Sequence, residues 1–470
     1  MIRFSWIAVL GLVASGQAAT YHVPTDYALI QEAIDASVDG DEVRVAPGTY
    51  RENIAFGGRN IAVTGTTPNS PELIAATIIH GNSSGSVVRF DGGEGAEAVL
   101  RGFTLIGGSG TEIGSEGRVA GGGIFIRGSS PTLRDLVVRH NDCMGATPGS
   151  GHGGGDGGAI YISDGAAPDI RRCAFAYNSV AGAGGAVAVF ASTPTLFKCQ
   201  FIYNSATWRG GGIYAVDGAE PVLIDCVFKD NYAETGGAAY CNATSPSFKR
   251  CTFDANRAVG SGGGIYCYDG ASPTFLHCIV RDNIAGVSGG GFRCQKAASP
   301  TLTNCIVTGN SSQAGGGMRA GNTATIGSIS SSPIITNCVF VDNESTVMAG
   351  GGIRFDDTAA PILTNLVIWD NAPDGINSGA GVPDVNYSIV QGGWVGESNN
   401  SNDPRFISYS GFDYLLHPSS PGIDAGDPDM KDGRYESDGR WPGTYPVGPR
   451  ADMGAYGGPA NFKWLTGYRP

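Results

Sequence analysis

The chain has 470 residues, 75 of them glycine and 41% apolar, and a formal net charge of −13. That much glycine without a triplet period excludes collagen, while the apolar share is too high for a disordered low-complexity chain. The acidity argues against nucleic acid and anionic membrane surfaces as partners, since both would be repelled over most of the protein.

Residues 1–19 read as a secretory signal peptide: Arg3 as a basic start, an apolar stretch from Ile7 to Val13, then small residues around Ala18 and Ala19. No later run reaches the ~18 apolar residues of a transmembrane helix. The expected location is therefore secreted, extracellular or at the cell surface. Residues 20–41 are expected to form an N-terminal cap, because Tyr27 to Val38 carries apolar residues at helical spacing and would cover an open hydrophobic end. Strand-like runs in residues 42 to 107 (DEVRV, NIAVTG, SVVRF, LRGFTLIGG) predict about three irregular coils.

A repeat follows. Its prolines are Pro131, Pro168, Pro194, Pro221, Pro246, Pro273, Pro300, Pro333 and Pro361, most steps being 25 to 28 residues. Five residues after most of them stands a cysteine (Cys173, Cys199, Cys226, Cys251, Cys278, Cys305, Cys338), with Leu136 and Leu366 at the two ends. Five further on stands an asparagine in every copy: Asn141, Asn178, Asn204, Asn231, Asn256, Asn283, Asn310, Asn343 and Asn371. Each copy holds two or three short alternating strands separated by Gly, Pro and Asn. This is the signature of a solenoid whose copies bury their apolar faces only by stacking.

The predicted fold class is all-β, a single right-handed parallel β-helix of about 12 coils spanning residues 42–398. Equivalent residues should form columns ~4.8 Å apart. The asparagines should then bond from coil to coil, tolerating unusual turn angles. Stacked cysteines point the same way, so they should be mostly free, buried thiols rather than bridges. A second short column, Cys241, Cys267 and Cys294, reads as core packing, and no C-x-x-C pair suggests zinc.

From residue 399 the period is lost, and residues 399–470 are expected to be a C-terminal capping or attachment module that closes the other end. Within it, Asp427, Asp429 and Asp432, followed by Gly433, resemble a calcium loop, although the spacing is one residue longer than usual. An ordinary acidic loop is the alternative. The glycine-rich stretches at 107 to 123 and 149 to 158 lack a Lys-Ser/Thr partner, which argues against a phosphate loop.

The strands pairing Gly157, Gly158, Ala159 and Ile160 with F-x-x-N (Phe175 to Asn178, Phe201 to Asn204, Phe228 to Asn231, Phe253 to Asn256) resemble the repeats of chlamydial-type polymorphic outer-membrane adhesins. More widely, residues 40 to 395 resemble the pectate-lyase-like superfamily, which implies the β-helix fold but little about function. The membrane barrel of those adhesins has no counterpart in the sequence. DPRF at 403, SSPGIDAGDPD and PRADMGAYGG are instead similar to a C-terminal module of exported bacterial β-helix proteins, which implies surface attachment.

Function should lie on outward columns. One runs Phe125, Tyr161, Ala188, Tyr214, Tyr240, Tyr266, Arg293, Arg319, Arg354, expected as three stacked tyrosines leading into three stacked arginines on an exposed sheet. Aromatic rows suit sugars, and arginine rows suit carboxylates or sulfates. The arginines would repel one another unless an anion, or a carboxylate such as Asp356 or Asp357, lay between them. A second column precedes the cysteines and includes Arg250 and His277. With Arg281 and Asp254 nearby it could supply the base and cation of a uronate lyase, or it could be an ordinary charged surface. The sequence thus favours an exported, adhesin-like protein that binds polysaccharide or a surface glycan without catalysis. A polysaccharide lyase or hydrolase and a structural coat or filament subunit are the alternatives.

Overall fold

The computed structural model describes residues 18–114, 117–144, 154–322, 330–356, 358–379, 381–409, 412–432, 448 and 450–459. Residues 1–17 of the expected signal peptide, Asp357 and residues 433–447 lie outside them.

One coil runs through Ile160–Ser163, Asp169–Arg171, Ala174–Ala176 and Ser179–Val180 before the next begins at Val187–Phe190. Stacking these strands makes three long sheets. Sheet 1, the strands after the prolines, has 14 strands; sheet 2, after the cysteines, has 13; sheet 3, the tyrosine strands, has 12. A fourth ladder of eight two-residue strands follows the asparagines. Within these sheets the pairing is parallel and joins residues one coil apart, as in Tyr240↔Tyr266 and Phe228↔Phe253. The fold is the parallel β-helix expected from the repeat.

Inward residues fill the coil. Phe175, Phe201, Phe228 and Phe253 stack with ring centroids 5.2, 4.2 and 4.9 Å apart and are fully buried. Each such ring contributes roughly 1.5–3 kcal/mol by leaving water. All eleven cysteines are free and buried. They are more than small hydrophobes, because the thiol of Cys251 lies 3.5 Å from the carbonyl oxygens of both Leu223 and Lys249, as a weak donor to its own coil and the one before. Burial pushes the Cys251 thiol well above its ordinary range.

The asparagines form a continuous buried ladder of eight links, Nδ2 of each donating to Oδ1 of the next at 2.9–3.1 Å. The same Oδ1 also accepts a backbone N–H, as Asn256 Oδ1 does from Asn231. The second hydrogen of Nδ2 goes to a carbonyl, for example from Asn256 to Phe228 at 3.0 Å. The unusual backbone angle belongs to the residue before the asparagine, at φ 54° in Asp230 and 55° in Ala255. The residues before the cysteines are likewise left-handed, with φ of 49 to 58° from Asp135 through Arg250 and His277 to Asn365. Both columns are therefore coil corners. Glycine is required at a third corner, where Gly236 has φ +66° and a Cβ on Gly237 would meet the Gly263 carbonyl oxygen at 2.3 Å.

At the N-terminal end the helix Ile30–Ala36 turns Ile30, Ala33 and Ile34 into the core. Its first amides, of Ile30 and Gln31, donate to the Glu52 carboxylate, satisfying groups that a helix start leaves open. A second helix, Pro71–Ala76, capped by Ser70, interrupts the early coils. No helix among the described residues is long and apolar enough to cross a membrane. The C-terminal segment was expected to close the far end; instead its described part lies along the outer face of sheet 2. Leu415, Leu416, Met453 and Tyr456 pack there on Ile306, Val339, Val367 and Ile389. The reason is that the outward row of sheet 2 turns apolar from Ile279 onward and needs cover. Trp394 packs against the core nearer the end.

Replacing Asn256 by Ala should destabilise the protein by about 1–3 kcal/mol, because it strands the amide groups of Asn231, whereas Gln200→Ala on the surface should stay within about 0.5 kcal/mol; urea midpoints measure both. A thiol reagent should label almost no cysteine in the native protein and all eleven after unfolding.

Candidate functional site

Sheet 3 aligns Phe125, Tyr161, Ala188, Tyr214, Tyr240, Tyr266, Arg293, Arg319 and Arg354 in one column as expected. It is not an exposed face. Tyr240 is 3% exposed, Tyr266 8%, Arg293 3% and Arg319 7%, while Tyr214 and Arg354 are half-buried. Neighbours on the same face cover them: the Arg209 guanidinium lies 5.2 Å from the Tyr240 ring centroid, Tyr268 packs on Tyr266, and the Tyr266 hydroxyl donates to Gln295 Oε1 at 2.6 Å. Tyr240 and Tyr266 stack on each other with ring planes 14° apart. Rings stacked along the coil axis spend their faces on one another, so they offer a sugar no open face.

The arginines are satisfied internally. Asp356 accepts from Arg319 at 2.6 Å and from Arg354 at 2.9 Å, as the carboxylate-between reading required. Arg293 donates to the carbonyl oxygens of Cys294 and Gly321 at 2.7 and 2.8 Å, and burial pushes its guanidinium below the ordinary value.

Earlier along sheet 3 the packing opens. The chain inserts a hairpin, Thr111–Ile113 with Arg118–Ala120, whose second strand pairs with Gly155–Asp156. Asp156, Ala183, Arg209 and Thr235 then follow one another as one-coil equivalents. Arg118 clamps Asp156 at 2.6 Å, and the small Gly182 and Ala183 leave room between that pair and Arg209. The result is a cavity of about 360 Å³, with Phe190, Trp208, Tyr214, Asp217 and Asn242 among its walls. Trp208 is 48% exposed, and no ring pair among the described residues includes it. Asn242 Oδ1 is buried without a hydrogen-bond partner. Burial pushes the Tyr214 hydroxyl up, with the Arg209 charge opposing, so at neutral pH it is a neutral donor. Of the residues proposed from sequence, only Tyr214 lines this cleft. Arg118, Asp156, Trp208, Arg209 and Asn242 were missed, because each sits where only coil register and an inserted hairpin bring them together.

The lyase candidates do not assemble. Arg250 is held by Asp225 through two bonds of 2.5 and 3.0 Å, and Arg281 by Asp254 at 3.1 Å, with Lys229 3.6 Å from the same carboxylate. Arg250 and the buried His277 occupy the corner before sheet 2, while Asp254 and Arg281 end its strands. Among the described residues these form two separate ion-pair groups. Further along the same corner column, Asn304 and Asn337 donate to the carbonyls of Ala455, Gly457 and Asp452, and Asn365 accepts from the amide of Asp427, so these residues seat the C-terminal segment.

The acidic set is also rearranged. Asp432 joins Asp424 and Asp452, whose carboxylate oxygens all lie within 4.8 Å of one another. Asp427 and Asp429 stay outside, because the Asp427 carboxylate caps the backbone amide of Asp429. Burial pushes the Asp432 carboxyl up to about 6, against the hydrogen bonds it accepts from Gly458 and Asp452.

A family model described as the right handed beta helix region matches residues 101–287, 158–329 and 249–391. The chain belongs to the right-handed β-helix family. Among solved structures, this right-handed β-helix is similar to the PL6 family alginate lyase AlyGC at 12% identity and a TM-score of 0.37, covering 77% of this chain and 53% of that one. It therefore spans about half of that lyase. It is also similar to the DFA-IIIase of Arthrobacter chlorophenolicus A6, seen in complex with GF2, at 12% identity and a TM-score of 0.30, covering 81% and 93% of the two chains. No curated protein matches. Neither likeness carries chemistry over to this β-helix.

Asp432 predicts a pH dependence. Its folded value lies above the ordinary one, so the native state favours the protonated form, and the cost of ionising it grows as pH rises from about 4 to about 6 and is constant above. Stability of the C-terminal segment should fall by about 3 kcal/mol across that window. Hydrogen exchange at the Asp452 and Gly458 amides, corrected for intrinsic rates, should show the fall, and Asp432→Asn should flatten it.

Proposed function

We propose that this β-helix is an exported, adhesin-like protein of the cell surface or extracellular space that binds carbohydrate in the cleft on sheet 3, without catalysis. The observation that carries it is the cavity of about 360 Å³ walled by an unstacked Trp208 together with polar groups. Its size falls within the ~300–1,000 Å³ of small-molecule sites, and an indole face beside hydroxyl and amide donors suits a pyranose. The likeness of the repeats to chlamydial-type adhesins and the signal-peptide pattern support the location.

The tyrosines and arginines proposed from sequence as ligand contacts reduce in this reading to Tyr214 at the cleft; Tyr240, Tyr266, Arg293, Arg319 and Arg354 hold its flank. A lyase acting on acidic polysaccharide is the second reading, favoured by one observation: a tyrosine and an arginine line one cavity. The upward push on Tyr214 weighs against its serving as the base.

Titration calorimetry with neutral and acidic oligosaccharides should show binding, weakened about tenfold or more in Trp208→Ala. Absence of binding by any of them removes the proposal, and formation of unsaturated uronides, followed by ultraviolet absorbance and lost in Tyr214→Phe, replaces it with the lyase. We extend the reading to calcium, held by Asp424, Asp432 and Asp452 rather than by Asp427 and Asp429. Calcium should raise the melting temperature of the native protein and not that of Asp452→Asn; no rise on adding calcium removes the site.

A further inference from the structure

We infer that the cleft selects an anionic saccharide unit, bearing a carboxylate or a sulfate, which places its anion on Arg209 and a neighbouring hydroxyl on Asn242. The inference rests on the carbohydrate-binding reading and adds the class of sugar.

The argument starts from register. Asp156 and Arg209 stand in one column with Ala183 between them, two coils or roughly 10 Å apart along the axis. Opposite charges in one column would normally pair, but Arg118 has already taken Asp156 at 2.6 Å. Arg209 is thus left with aromatic company, 5.2 Å from the Tyr240 ring centroid and on the same cavity wall as Tyr214. No ion pair among the described residues includes it. A half-buried guanidinium fixed on tyrosine faces, lining a cavity and lacking a carboxylate, has donors aimed for a planar or tetrahedral oxyanion.

Asn242 is the independent second observation. It lies one coil beyond Val216 in the column that forms the opposite edge of the cavity, and its Oδ1 is buried with no donor. A buried acceptor left open is costly unless something fills it, and a sugar hydroxyl is a donor of the right kind. Asp217 carries the one remaining negative charge of the walls. It is exposed at the rim, where water screens it from an anion seated on Arg209 and where it can accept a further hydroxyl.

The test compares oligogalacturonate with its carboxyl-reduced counterpart, and a sulfated oligosaccharide with its desulfated one, by calorimetry on the full chain. The charged member of at least one pair should bind about 10- to 100-fold more tightly. Arg209→Gln should erase that preference by weakening the charged member far more than the neutral one, and Arg209→Lys, which keeps the charge without the fork, should retain part of it. Asn242→Leu should weaken both members of the pair. Near-ultraviolet circular dichroism of the variants checks that the tyrosine packing survives. Equal binding of charged and neutral members overturns the inference and leaves the carbohydrate reading standing, as does a preference that Arg209→Gln does not alter. Failure of every saccharide to bind sinks both. Which pair shows the preference tells carboxylate from sulfate.

Discussion

Each coil must return to the same lateral position one strand spacing higher, and a buried asparagine is what enforces it. The amide of Asn256 is bound above and below by Asn283 and Asn231 and sideways by the Phe228 carbonyl, so a slip of one residue would break all of these bonds at once in a dry interior. The phenylalanine stack, the thiol-to-carbonyl contacts and the left-handed corners are all consistent with that single register.

The same constraint makes the cleft. A solenoid places like residues over like, and most columns close on themselves: tyrosine on tyrosine, arginine across aspartate. A lateral opening on sheet 3 that holds unpaired polar groups arises where small residues, Gly182 and Ala183, follow a clamped Asp156 and precede Arg209. The inserted hairpin supplies Arg118 and raises one wall. Regular stacking thus builds the scaffold, and a local departure from it leaves polar groups without partners.

Much of the molecule was legible from spacing. The period, the Pro-Asn order with cysteine between them in seven of nine copies, and the alternation within strands are local and have few other interpretations, so sheets, core and ladder all follow. Exposure was misread because alternation says which way a side chain points and not what stands beside it. Tyr240 and Arg319 do point outward, yet Arg209 and Asp356 roof them. The C-terminal segment was misplaced for a related reason, since the local period does not mark the apolar outward row Ile279, Ile306, Val339 and Val367 as a surface that needs cover.

What the amino-acid order determined by itself is the repeat, and with it the coil, because every copy states the same local rule and stacking is the only way to bury it. What tertiary structure alone decided is which charged and aromatic groups end with partners: Asp432 meets Asp424 and Asp452 across a segment of chain, Asn304 and Asn337 meet the tail more than a hundred residues away, and Arg209 is left facing a cavity. Those outcomes depend on distances between different coils and insertions, a quantity that no single period contains.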